Sequence, residues 1–477
     1  MTNNTAQKPN WTVLVYMVAD AGDSFYQYAM KDITEMMNAQ FDDRLRVIVH
    51  ADAPSPWQTK CWEVTGAPTR EEQASKRVIG QAKEIVCGHT SLLDFVEKCV
   101  RTYRSDYYLL VLWGHGEGID WKQKVLAGRP PSSAIQGAGK RFAPGSQNAI
   151  EVGELGKALA GLDLRNLKRE NIVVGFDACL MGMVEVYSEI WEYVGWGVAA
   201  ADEIPDTGWP YTAVLQVLGD CPETKPKELA DQIVSRCADW YSRYNPDAKI
   251  SFAACDLLNS PAVLESMTNL TRALIARIDE IPVQEAVKKA RDYAEDLQEK
   301  AYVDLYAFCS GLKQQIEGKA EFQQLYGAVR NVISALTPFV SQWKFSDSYP
   351  YTYAEDARAL SICFPESADL VGSISDIEVN WGSYRDLTFS KNTNWPDFLE
   401  KFWGRQPGEA PAKDVAEVGQ QVEYDPAKTT AQFVRQVAAQ VIQLVESDLS
   451  KTLIRVGRPN QEGDPSKGNA MSATNKG

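Results

Sequence analysis

The sequence predicts an α/β fold, in which helices cover both faces of a mainly parallel central sheet. Seven apolar runs that are typical of strands alternate with longer amphipathic segments along the chain. Most of these runs are apolar at every position, as expected for strands buried on both faces. Alternation of this kind favours an α/β/α sandwich. Ligands in such sheets bind beyond the carboxyl ends of the strands, so functional residues are expected directly after them.

The predicted elements follow one another in a regular order. The strands are expected at 11–18, 44–51, 106–114, 171–177, 195–201, 249–256 and 359–365. Between them, segments such as SFYQYAMKDITEMM at 24–37 repeat apolar residues at helical spacing and predict helices. A further helix is predicted over 91–103, with Thr90 or Ser91 as its cap.

The pattern divides the chain into three parts. Residues 1–260 are the predicted α/β core, which a Gly-, Pro- and Ser-rich insert without clear periodicity interrupts at 117–150. Residues 261–404 form a largely helical region that returns a late strand to the core. Residues 405–477 combine a linker rich in Pro, Gly, Ala and Lys with an amphipathic helix and a disordered end.

The composition is that of an acidic globular protein. A net charge of −15 argues against nucleic acids and anionic membranes as partners. The run WTVLVYMV is short and follows a weakly charged arm, so it predicts a buried strand and no signal peptide. Nine cysteines without a C-x-x-C pair, beside three histidines, offer a zinc site few ligands. We therefore expect reduced thiols in a cytoplasmic protein, with secretion by another route as the alternative.

Two residues with catalytic chemistry follow consecutive predicted strands. His115 lies between Gly114 and Gly116 after the third strand, and Cys179 follows the fourth. A thiol hydrolase needs a nucleophile at a cleft and a base within reach of it. The backbone N–H groups of Gly116 and Cys179 are candidate donors to the oxyanion. A helix is expected to start just after Cys179, where its dipole would lower the pKa of the thiol.

Each of these residues also has a structural interpretation. A lone cysteine after a strand belongs more often to the core, and a lone histidine is more often structural. That interpretation is given to His50, to His89 and to the other eight cysteines. His115 and Cys179 differ because they occur together, on adjacent strand ends and in unusual local sequence.

The two motifs resemble a known family. The segments YYLLVLWGHGEG and VVGFDACLMGMVEV are similar to the His and Cys motifs of the clostripain family of cysteine peptidases. Further blocks resemble the family from residue 11 to 403, among them AIEVGELGKAL, AAADEIPDTGWPY, YVDLYAFCSGL and YRDLTFSKNTNWPDFL. The resemblance implies a caspase-like fold. It also implies a dyad without a third residue, in which His115 is the general base or acid and Cys179 the nucleophile.

The resemblance further implies cleavage after Arg or Lys. Carboxylates would then line the pocket that receives the basic side chain, because they pair well with a guanidinium. Asp177 is the first candidate, and Asp202, Glu203 and Asp206 are the others. The alternative for Asp177 is a strand-end carboxylate that accepts nearby backbone N–H groups. The implied partners are proteins or peptides with basic residues, while the oligomeric state stays open.

Members of the family are often cut in the loop between the His and Cys blocks. The insert at 117–150 corresponds to this loop, and within it Lys140-Arg141 is the favoured site of cutting. The alternative is an ordinary surface loop. Calcium is associated with some relatives, but the sequence contains no D-x-D-x-D-G loop. We therefore assign neither a cofactor nor a metal site.

Three functions follow from these observations. The first is a cysteine endopeptidase that cleaves after Arg or Lys, with self-processing in the 117–150 insert as an option. The alternative from another class is a catalytically silent caspase-like scaffold that binds proteins. An enzyme of different specificity is the third. The joint presence of His115, Gly116 and Cys179 argues against the scaffold, because packing alone does not require that set.

Overall fold

The structure is a computed structural model, and it describes thirteen stretches of the chain: 9–20, 23–54, 59–67, 80–85, 92–116, 118–119, 141–142, 150–160, 167–294, 297, 301–349, 356–367 and 381–404. All of them belong to Met1–Lys413, the first of the two units into which the chain divides. His89, Lys140, most of the 117–150 insert and all of 405–477 lie outside the described residues. The cutting site, linker and tail helix stay predictions.

The described strands are β1 (Trp11–Met17), β2 (Leu45–Ala51), β3 (Lys60–Thr65), β4 (Gln81–Ile85), β5 (Tyr107–Trp113), β6 (Arg141–Phe142), β7 (Ile150–Glu151), β8 (Ile172–Asp177), β9 (Trp196–Ala200), β10 (Ser251–Asp256), β11 (Tyr302–Asp304), β12 (Val340–Phe345) and β13 (Ser361–Cys363). Within the described stretches, nine strands form the main sheet in the order β12-β10-β9-β8-β5-β1-β2-β3-β4. The five central strands β9, β8, β5, β1 and β2 are parallel to one another. Antiparallel strands flank them on both sides.

The described α-helices are α1 (Asp23–Asn38), α2 (Leu92–Thr102), α3 (Val152–Ala160), α4 (Val184–Ile190), α5 (Tyr211–Asp220), α6 (Pro226–Tyr244), α7 (Ser260–Arg277), α8 (Ile281–Ala294), α9 (Leu305–Ile316), α10 (Gln323–Phe339), α11 (Trp381–Asp386), α12 (Thr388–Thr393) and α13 (Trp395–Phe402). None of these described helices is both long and apolar enough to cross a bilayer.

Alternate residues of the central strands enter two hydrophobic cores, one on each face of the sheet. In β1, Val13 and Val15 pack in the core that contains α1, α5 and α6. Leu14 and Tyr16 point to the opposite core, which contains α2, α3, α4 and α7 to α10. Burial on both faces explains why these runs are apolar at every position. The predicted α/β/α sandwich with a mainly parallel sheet is therefore confirmed.

The edges of the sheet differ from the sequence prediction. The strands β3 (KCWEVT) and β4 (QAKEI) were not predicted, because partial exposure lets them mix polar and apolar residues. The strand predicted at 249–256 is present as β10 but runs antiparallel to β9. The late strand is present as β13, yet it pairs with β11 in a separate two-stranded sheet. β13 contacts the segment between β8 and α4, where the N–H of Ser361 donates to the carbonyl of Gly182 at 2.8 Å.

The expectation of reduced thiols throughout is wrong. Cys61, on β3, is disulfide-bonded, while Cys87 lies outside the described residues. The free thiols are Cys99, Cys179, Cys221, Cys237, Cys255, Cys309 and Cys363. An odd number of cysteines without a C-x-x-C pair does not exclude a single bridge between distant residues.

Candidate active site

Strand register brings the two predicted catalytic residues to one edge of the sheet. β5 and β8 are parallel neighbours, and Trp113 pairs with Asp177 at their carboxyl ends. His115 lies two residues beyond Trp113, and Cys179 lies two residues beyond Asp177. The structure thus brings both residues onto adjoining loops at the edge where α/β sheets bind ligands.

The two loops are in direct backbone contact. A Cβ placed on Gly116 would lie 2.1 Å from the carbonyl oxygen of Cys179 and 2.9 Å from its nitrogen. Only glycine fits a position with so close a backbone neighbour. Gly116 and Cys179, the two predicted oxyanion donors, are therefore brought together.

Cys179, the candidate nucleophile, precedes a strained turn. Leu180, directly after Cys179, has a φ of +62°, in the left-handed region that residues other than glycine rarely adopt. Its N–H donates to the carbonyl of Asp202 at 3.1 Å, and this bond fixes the turn against the loop after β9. Strained residues of this kind concentrate at active sites.

The predicted helix does not start just after Cys179. α4 begins at Val184, with Met183 as its N-terminal cap, so its dipole does not act directly on the thiol. The pKa of Cys179 is raised to about 11, first because burial disfavours the thiolate, and further by the carboxylates of Glu203, Asp177 and Asp206. The prediction of a lowered pKa is therefore wrong for the protein without substrate.

The backbone of Ile204 contacts the thiol at two atoms. The N–H of Ile204 donates to Sγ of Cys179 at 3.3 Å. Sγ in turn donates its hydrogen to the carbonyl oxygen of Ile204, with 3.6 Å between the sulfur and the oxygen. The segment after β9 therefore holds the Cys179 thiol, although the sequence carried no signal for this contact.

Asp177 is buried, and both of its carboxylate oxygens are occupied. They accept the N–H of Trp209 at 3.1 and 3.2 Å, and Oδ2 also accepts the hydroxyl of Tyr211 at 2.9 Å. Gly208, with a φ of +56°, lies so close that a Cβ there would be 2.8 Å from each oxygen. Burial raises the pKa of Asp177 to about 7. This geometry matches the structural alternative given for Asp177.

The other three carboxylates divide into one buried and two exposed groups. Asp202 is 1% exposed, and its carboxylate accepts the N–H of Glu203 at 2.8 Å and the hydroxyl of Tyr349. Glu203 and Asp206 are exposed, and both are near enough to Cys179 to raise its pKa. Of the four candidate carboxylates, Glu203 and Asp206 thus combine proximity to the thiol with exposure to solvent.

His115 is exposed and packs against an aromatic ring that the sequence analysis did not single out. Its imidazole stacks on Phe25 of α1, with ring centroids 4.0 Å apart. The position of His115 after a strand could be recognised from the sequence. No such pattern indicates Phe25, which lies on a helix far from His115 in the sequence.

His50 has the environment of a structural histidine, as interpreted from the sequence. It is fully buried, with Nε2 3.0 Å from Oδ1 of Asp52 and Nδ1 3.4 Å from Sγ of Cys61. Within the described stretches, no group of three or more His, Cys, Asp and Glu side chains could hold a metal ion.

Comparison with solved structures supports this architecture. A secreted C11 cysteine protease from Bacteroides thetaiotaomicron, in complex with an irreversible peptide inhibitor, matches with a TM-score of 0.55 and 17% identity, over 81% of this chain and 99% of that one. An inactive zymogen C11 protease from Parabacteroides distasonis matches with a TM-score of 0.52 and 16% identity, over the same shares. Likeness at this level of identity shows a common fold. No curated protein matches the sequence significantly.

The fold, with the loops of Cys179 and His115 at one edge of its sheet, is the one expected of a cysteine peptidase of caspase-like fold. The sequence model of the clostripain family matches residues 15–403, most of the chain. The chain therefore belongs to the clostripain family. Membership in a family of peptidases leaves the catalytically silent scaffold without support.

Proposed function

We propose that this peptidase cleaves peptide bonds after Arg or Lys, with Cys179 as nucleophile and His115 as general base and acid. The observation that carries the proposal is the position of both residues, each two residues beyond the paired strand ends Trp113 and Asp177. Direct contact between Gly116 and the backbone of Cys179 supports the same assignment.

The raised pKa of the thiol determines how the reaction starts. With a pKa of about 11, Cys179 is protonated at neutral pH, so His115 takes the Sγ proton as Sγ attacks the carbonyl carbon. The N–H groups of Gly116 and Cys179 stabilise the oxyanion. His115 then protonates the leaving amine, and a water molecule activated by the same imidazole hydrolyses the thioester. None of these reaction steps requires a cofactor.

Specificity for a basic side chain is assigned to Glu203 and Asp206. Both are exposed on the segment whose Ile204 holds the thiol, and a guanidinium or ammonium group pairs well with carboxylates. Burial is the main cause of the raised pKa of Cys179, and nearby carboxylates add to it. A bound cation would offset the contribution of the carboxylates, so binding of substrate would also favour the thiolate. The buried Asp177 and Asp202 stabilise this segment, because they accept the backbone N–H groups of Trp209 and Glu203, respectively.

Two further parts of the proposal concern maturation and compartment. Self-cutting after Lys140 or Arg141 would open the insert between the two catalytic loops, and the basic residues of the insert fit the proposed specificity.

The disulfide at Cys61 favours an oxidising compartment over the cytoplasm. We therefore propose that the protein acts outside the cytoplasm.

The test compares wild type with Cys179→Ala and with Cys221→Ala, which removes an exposed free thiol elsewhere. Hydrolysis of fluorogenic peptides ending in Arg, Lys or an uncharged residue is followed with and without calcium, and each protein is run on a denaturing gel. We expect Cys179→Ala alone to lose turnover on the Arg and Lys peptides. Fragments in wild type that are absent from Cys179→Ala would demonstrate self-cutting. Well-folded wild type without turnover on any peptide would refute the proposal.

A further inference from the structure

A stack of aromatic rings connects the catalytic histidine to helix α1. The rings of His115 and Phe25 are nearly parallel, with 9° between their planes and 4.0 Å between their centroids. His115 is exposed, whereas Phe25 is half-buried near the start of α1. One face of the imidazole is thus covered by a ring that neither titrates nor forms conventional hydrogen bonds.

Phe25 is itself held by the strand that carries His115. Its ring packs against Trp113, the last residue of β5, with centroids 4.7 Å apart. The indole N–H of Trp113 donates to Oδ2 of Asp32 at 2.7 Å, and both residues are buried. Asp32 follows Phe25 by seven residues, two turns along the same face of α1. Helix α1 therefore contacts Trp113, at the end of β5, through both Phe25 and Asp32. These contacts fix the Phe25 ring on which His115 stacks.

An exposed side chain samples several rotamers, and holding one of them costs entropy. A general base acts only within hydrogen-bond reach of the proton that it takes. A ring stacked on one face of the imidazole limits the orientations that it can adopt. The face of an aromatic ring also attracts a cation, and His115 becomes an imidazolium when it takes the thiol proton.

We propose that Phe25 is a positioning residue for the catalytic histidine, holding the His115 ring in the orientation that reaches Cys179 and stabilising its imidazolium form. The proposal rests on the catalytic role assigned to His115 above. It also gives a function to the buried contact between Trp113 and Asp32, which keeps Phe25 in place without touching substrate.

The test uses two replacements of Phe25 and one control on the same helix. Phe25→Leu keeps an apolar side chain without a ring, and Phe25→Tyr keeps the ring. The control Tyr28→Ala removes another half-buried aromatic from α1, whose ring contacts Lys31 at 4.8 Å. We expect kcat of Phe25→Leu to fall on the order of 10- to 100-fold, as for a misplaced catalytic group. KM should change by less than about twofold, because the interaction acts in the transition state. Phe25→Tyr and Tyr28→Ala should keep the wild-type kcat.

A spectroscopic measurement tests the stack without any turnover. In a Cys179→Ala background, the ring protons of His115 should show an upfield ring-current shift in the NMR spectrum. We expect Phe25→Leu to remove this shift and Phe25→Tyr to retain it.

The outcomes separate the two proposals. Active wild type with an equally active Phe25→Leu would overturn the positioning role, as would an unchanged His115 shift in Phe25→Leu. Wild type that turns over no peptide would instead refute the peptidase mechanism, and the positioning role with it. Equal loss of kcat in Tyr28→Ala and Phe25→Leu would show a general effect on α1 and would also overturn the proposal.

Discussion

The backbone N–H of Ile204 lies 3.3 Å from Sγ of Cys179, and the thiol lies 3.6 Å from the carbonyl oxygen of the same residue. Cys179, the proposed nucleophile, is therefore held by the segment that also carries Glu203 and Asp206. A basic side chain that binds these carboxylates would therefore lower the pKa of the Cys179 thiol.

The first prediction concerns the reactivity of the free thiol. Because the pKa of Cys179 is raised to about 11, its alkylation by iodoacetamide should be slow at pH 7. The rate should rise about tenfold per pH unit toward pH 11, since only the thiolate reacts. The measurement is the pH dependence of alkylation in Cys221→Ala, which lacks the free thiol that is exposed among the described residues. Cys179→Ala in the same background is the blank. A midpoint at or below neutral pH would contradict the structure.

The second prediction concerns the two exposed carboxylates. Replacing both, in Glu203→Gln/Asp206→Asn, should lower kcat/KM for an Arg peptide by on the order of 10- to 100-fold, the value of a charge-assisted hydrogen bond. The uncharged peptide should be affected little. The pKa of Cys179 should fall in the same variant, because two negative charges near the thiolate are removed.

The control for these carboxylates is Asp239→Asn, which removes an exposed charge on α6. It should leave both kcat/KM and the alkylation profile unchanged. An unaltered preference for Arg in the double variant would show that other residues form the pocket for the basic side chain.

The third prediction concerns the contact between the loops that carry His115 and Cys179. Gly116→Ala places a Cβ 2.1 Å from the carbonyl oxygen of Cys179, so the loops must separate and turnover should fall at least about 100-fold. Gly327→Ala in α10 is the matched control, because an added Cβ there meets nothing within 4 Å. It should retain activity and gain about 0.5–1 kcal/mol of stability. Peptide hydrolysis and urea unfolding of both variants check these outcomes, and an active Gly116→Ala would show that the loops need not touch.

The sequence predicted the strand ends of the candidate site, where the local pattern is strong. Apolar strands and the residues that follow them identified His115 and Cys179, because parallel register places strand ends at one edge. The segment Leu180–Met183 was expected to continue into a helix because it is apolar, but the φ of +62° at Leu180 prevents this. Contacts such as Phe25 with His115, or Tyr349 with Asp202, join residues on distant elements. No spacing rule connects such residues, since tertiary packing alone brings them together.

The last prediction concerns Asp177 and the dependence of stability on pH. The pKa of Asp177 is raised to about 7 by burial, well above that of an unfolded aspartate, about 3.9. Below pH 4 both states are protonated, whereas between pH 4 and 7 only the unfolded chain loses its proton. The raised pKa therefore makes the free energy of unfolding fall as pH rises through this window, and no further above it. The change amounts to a few kcal/mol, at about 1.4 kcal/mol per pKa unit.

The variant Asp177→Asn removes this titration while it keeps an oxygen that can accept the N–H of Trp209. Its stability relative to wild type should rise between pH 4.5 and pH 7.5, as measured by urea unfolding at both values. Asp239→Asn, an exposed replacement, should follow the wild-type pH dependence. If wild type instead gained stability over Asp177→Asn as pH rose, Asp177 would be an ionised carboxylate in the folded protein. Such a group would be available to pair with a basic substrate side chain, and the structural role assigned to Asp177 would be wrong.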